Sequence, residues 1–247
     1  MSIGKFKEIE YNPSVSDGCL CIHKKKDSFI FFHVDDLIVV GKTDSFEKAF
    51  LKRFPNSSAH SPDTLLGMNL NILNDSIEFS QSALIQKEIE LLKMEDCQPV
   101  KTPLTPAVQL ATATEEDHQT FLKENVKYRS GCGGVNTEGL HCWKYLKGTQ
   151  NFGLLLKPDP SSIADRIQFF TNATWAEDQE TQISQSGSLT FWKSCPILWN
   201  SKKQKNITMS STESELNAIS DGEQENQWLS FLIGELWKKD LAPTLFH

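Results

Sequence analysis

Two adjacent aspartates, Asp35 and Asp36, stand between two apolar runs, Ser28-Phe29-Ile30-Phe31-Phe32-His33-Val34 and Leu37-Ile38-Val39-Val40-Gly41. Both runs are short, rich in β-branched and aromatic residues and free of 3.6-residue periodicity, so each is expected to be a buried strand. Burying a carboxylate costs several kcal/mol unless a positive charge compensates it. A divalent cation is the usual compensation, and carboxylates held on a hairpin suit Mg²⁺-dependent phosphoryl transfer. The alternative is a solvated turn that uses Asp for its tolerance of unusual φ/ψ. Asp35 and Asp36 are therefore the candidate catalytic and metal-ligating residues.

The surrounding patterns predict the elements that hold this pair. Cys19-Leu20-Cys21-Ile22 reads as a strand before the hairpin, with Lys24-Lys25-Lys26-Asp27 as a solvated turn. Residues 44–54 read as a helix stopped by Pro55, with Phe46, Ala49, Phe50 and Phe54 on one side. A second hairpin is expected over 64–80, followed by an amphipathic helix from Ser82 to Met94 with Ile85, Ile89 and Leu92 as its buried stripe. Pro99, Pro103 and Pro106 make an extended connector, and residues 105–120 read as a surface linker. Strands are then expected at Ile167–Ala176, Gly187–Lys193 and Ile197–Asn200, with a polar turn over 201–205. A long helix follows, capped by Ser210 with Glu213 or by Thr212 with Glu215. Gly131–Gly134 does not make a phosphate-binding loop, because no strand precedes it and no Lys-Ser/Thr follows.

Composition limits the function classes. The chain has 247 residues and a net charge of −7, which argues against a strong nucleic-acid footprint over its whole surface. Residues 1–60 carry nine Lys/Arg against eight Asp/Glu, whereas residues 167–247 carry six against ten. The six cysteines show no Cys-x-x-Cys spacing, so neither a zinc site nor a disulfide framework is expected. No signal peptide or membrane-spanning run is present, and the expectation is a cytoplasmic or nuclear chain that is not secreted.

In combination these segments resemble copia-type LTR retrotransposon Pol polyproteins. Val34-Asp35-Asp36 is similar to the aromatic-x-Asp-Asp motif of reverse transcriptases, with His33 where those proteins carry Tyr. Ser16-Asp17-Gly18-Cys19, Leu66-Gly67-Met68, Pro99-Val100-Lys101-Thr102-Pro103-Leu104 and Leu146-Lys147-Gly148-Thr149 match further family signatures. Trp199-Asn200-Ser201-Lys202-Lys203-Gln204 and Ser210-Ser211-Thr212-Glu213-Ser214-Glu215-Leu216 resemble the family's RNase H domain. Tyr128-Arg129-Ser130 opens a family segment that is here cut short, as an internal deletion would leave it.

The resemblance implies an α+β chain. Residues 1–104 are expected to be a reverse-transcriptase palm remnant, 105–160 a shortened connection or thumb, and 161–247 a truncated RNase H-like domain. Asp35 is the expected Mg²⁺ ligand, Asp36 a more peripheral one, and Glu215 the catalytic carboxylate of the long helix. No other cofactor is implied. Asn172 and Thr174 stand where the family has acids, and an Asn carbonyl cannot bridge two Mg²⁺ ions. The third RNase H acid is expected just past Leu245-Phe246-His247, where the sequence ends, and the polymerase's first metal-binding Asp lies upstream of residue 1.

The chain is therefore expected to be inactive in isolation, with weak affinity for template–primer or RNA–DNA hybrid. Alternatives are a repurposed interaction protein, or an enzyme completed by a partner chain. An RNase H fold sets its fourth strand beside the first. The truncation is expected to leave the edge of strand 167–172 poorly paired, open to self-association or a protein partner.

Overall fold

The computed structural model describes residues 4–33, 36–55, 60–105, 115, 116, 119, 137–161, 165–178 and 180–247. These form two compact units, Met1–Pro62 with Leu156–His247, and Asp63–Leu155.

The first unit opens with a short helix, α1 (Gly4–Lys7), and an antiparallel sheet of β1 (Tyr11–Pro13), β2 (Leu20–His23), β3 (Ser28–His33) and β4 (Asp36–Gly41), in that spatial order. The two apolar runs of the sequence are β3 and β4, paired from Ser28↔Gly41 to His33↔Asp36. Gly41 has φ +102°, and a Cβ there would lie 2.3 Å from the Asp27 carbonyl oxygen, so only glycine fits. Helix α2 (Asp44–Arg53) sends Phe46 and Phe50 onto this sheet, where Phe46 packs with buried Phe6, Tyr11, Cys21 and Ile30.

The second unit holds a sheet of β5 (Thr64–Leu65), β6 (Met68–Ile72), β7 (Ile77–Ser80) and β8 (Gly153–Leu156). Helices α3 (Ser82–Leu91) and α4 (Thr137–Thr149) accompany it. The helix after the second hairpin is three residues shorter than the expected 82–94, and its N-cap Gln81 makes no side-chain capping bond. Lys147 on α4 donates to the carbonyl oxygens of Glu95 and Cys97, which anchors the start of the proline-rich connector to the helix.

The rest of the first unit is a four-stranded sheet with one long helix. The strands are β9 (Arg166–Thr174), β10 (Gln185–Trp192), β11 (Cys195–Lys203) and β12 (Ala242–Phe246), in the order β11-β10-β9-β12. The first three are antiparallel neighbours and β12 joins β9 in parallel. β11 runs on to Lys203, so Ser201, Lys202 and Lys203 lie in the strand, not in a turn. Helix α5 (Ser211–Trp237) covers one face of the sheet, burying Leu229 and Ile233 against Ile167 and Phe169.

The expected open edge of strand 167–172 is not there. Leu245 and Phe246 pair with Gln168 and Phe169, His247 N donates to the Phe169 oxygen at 2.9 Å, and Thr171 N donates to the His247 oxygen. Five residues suffice because a parallel edge strand needs only enough length to satisfy the first part of β9, and Phe246 adds a ring stacked on Phe169 at 5.2 Å. Phe169 is consequently fully buried.

The far end of α5 also reaches the N-terminal sheet. Leu236 and Leu232 pack with Leu20, Ile22 and Phe29, so the first and last parts of the sequence share a core. Among the described residues no helix is long and apolar enough to cross a membrane.

Candidate functional site

The hairpin of β3 and β4 is the element that would present Asp35 and Asp36. Asp35 lies outside the described residues; Asp36 opens β4, its backbone opposite His33. The strands on either side are built from core residues, with Ile30 fully buried and Leu37 and Val39 packed on the same cluster.

Glu215 sits half-buried in the first turns of α5, and its side chain has no hydrogen bond or ion pair among the described residues. Asn172 lies on β9 opposite Gly187, and it is exposed, as is Thr174. Side chains alternate along a strand. Phe169 and Thr171 face α5, where both approach Gly222. Asn172, one residue on, projects from the opposite face, and the geometry does not join it to Glu215. Among the described residues no three His, Cys, Asp or Glu side chains converge as a metal site would require.

What the fold does bring together is a polar layer between the sheet and α5. Glu225 accepts from Asn200 Nδ2 at 2.8 Å and Ser188 Oγ at 3.3 Å, with Lys202 Nζ at 3.8 Å. Lys202 also lies 3.4 Å from Asp221, one turn earlier on the helix. Deeper in the same layer, buried Gln204 donates through Nε2 to Ser186 Oγ and to the Ser214 carbonyl. Each carboxylate here already has a cation or a donor, so the layer fastens helix to sheet and leaves little free charge for chemistry.

A second polar junction lies at the far end of α5. Glu235 accepts from Ser14 Oγ at 2.6 Å and from the backbone N–H groups of Val15 and Ser16 at 3.0 and 3.3 Å. Burial raises the Glu235 pKa, but these donors outweigh it and hold the carboxyl below its ordinary range. Lys26 Nζ donates to the Glu235 carbonyl, and Trp228 Nε1 to the Ser16 carbonyl.

Sequence reasoning passed over both clusters. Asp221 and Glu225 are spaced i, i+4, while Ser186 and Ser188, or Asn200 and Lys202, are spaced i, i+2; those periods put each pair on one face. Nothing local marks Glu235 as the partner of a loop at the other end of the chain.

Comparison with known proteins finds no matching family model and no matching solved structure. Among curated proteins, the chain is 26% identical, over 95% of its length, to the retrovirus-related Pol polyprotein from transposon RE1 of Arabidopsis thaliana. It is 25% identical over 93% of its length to the corresponding polyprotein from transposon TNT 1-94 of Nicotiana tabacum. It spans only 18% and 20% of those two proteins. An uncharacterized mitochondrial protein of Arabidopsis thaliana is 23% identical over 82% of the chain, which covers 94% of that protein. The chain is therefore homologous, along nearly its whole sequence, to a segment of retrotransposon Pol polyproteins.

Proposed function

We propose that residues 1–104 derive from the palm of a reverse transcriptase, 105–160 from a shortened connection and 161–247 from an RNase H-like domain, and that the chain catalyses neither reaction in isolation. The observation that carries the RNase H reading is the order β11-β10-β9-β12, three antiparallel strands with a fourth added in parallel beside the first. The helix between the third and fourth strands packs on one face, as that fold requires.

The proposed inactivity rests on the donor set. Hydrolysis through two Mg²⁺ ions needs anionic oxygens converging from several elements. Asn172 and Thr174 are neutral and exposed, and Glu215 has no partner among the described residues. These residues do not fit a pair of Mg²⁺ ions. For the polymerase half, Asp35 and Asp36 are proposed as a weak Mg²⁺ site, because a hydrated Mg²⁺ gives up its waters reluctantly to two neighbouring carboxylates alone.

Incubation with an RNA–DNA hybrid and Mg²⁺ or Mn²⁺ is expected to leave the hybrid intact. Asn172→Asp alone is expected to restore nothing. Cleavage that disappears in Glu215→Gln would overturn the reading. An interaction role for the same fold is favoured by one observation, the apolar face that the C-terminal sheet turns away from α5.

A further inference from the structure

We draw no further inference here: the strongest candidate, the groove between the C-terminal end of α5 and β12, mixes Lys238 and Lys239 with Asp240 beside exposed Phe231, so its charge selects no ligand and nothing in the structure shows what covers it.

Discussion

Gly222 sets the distance between α5 and the sheet. A Cβ built there would stand 2.7 Å from Phe169 Cε1 and 3.1 Å from Thr171 Cγ2, and the Phe169 ring is itself wedged against Phe246. Two effects compete in Gly222→Ala. Removing a mid-helix glycine gains up to about 1 kcal/mol of helix propensity. Overpacking a fixed core ring costs about 1–3 kcal/mol, and here the ring has no flexible end to swing aside. The second effect wins, so the alanine variant is expected to lose about 1 kcal/mol net, read from the urea midpoint. A midpoint that is unchanged or raised would show that Phe169 can yield. Asn172 illustrates the opposite kind of residue. Its backbone pairs with Gly187 in the β9–β10 ladder, but its side chain is exposed, and the interest of that side chain lies in the charge it lacks.

At the scale of elements, α5 begins where its capping residues say it should. Ser210 Oγ accepts from Glu213 N at 3.2 Å, and Glu213 Oε2 accepts from Met209 N at 2.7 Å, one residue before the usual partner of a capping box. Thr212 lies inside the helix and caps nothing, so of the two candidate pairs only the first is realised. Ser210→Ala is expected to cost about 1 kcal/mol of stability, and Thr212→Ala a few tenths, in thermal or urea unfolding. Equal losses would mean that the helix start frays and the cap is not carrying it. β12 shows how little an element needs. Its five residues turn an expected open edge into a paired one and complete the burial of Phe169.

At the scale of the whole molecule, the Glu235 junction ties residues 14–16 to a helix more than two hundred positions later. Its carboxyl is held below the ordinary carboxylate range, so its stabilisation is present above that range and lost as pH falls through the depressed folded value. Glu235→Gln keeps an acceptor but removes the charge. The gap in unfolding midpoint between the natural chain and this variant is expected to be widest near neutral pH and to close as acidification carries the solution down through the carboxylate range. A gap independent of pH would mean that the carboxylate is not the group bearing the Ser14–Ser16 loop. Beside this junction, Leu232 and Leu236 share a core with Leu20 and Ile22. A division of the chain into successive linear domains does not anticipate that core.

Features that depend on near neighbours were legible in the sequence. The strands on either side of Asp35-Asp36 follow from two short β-branched runs ending in a glycine, and Gly41 is there because Asp27 leaves no room for a Cβ. The helix at 44–53 follows from its spaced phenylalanines and the proline after it, and the one at 211–237 from its capping residues. The three strands before the long helix follow from alternation, within a few residues at each end. The homology to retrotransposon Pol was likewise carried by short contiguous motifs. The tertiary structure decided the rest, because the deciding interactions join residues far apart in the chain. Whether strand 167–172 had an open edge turned on where five residues after α5 came to lie. That Glu225 fastens the helix to the sheet depends on Asn200, Ser188 and Lys202 reaching it from two strands. The side of the sheet left bare depended on α5 crossing it on the Phe169 face, which left Phe170, one residue away, in solvent.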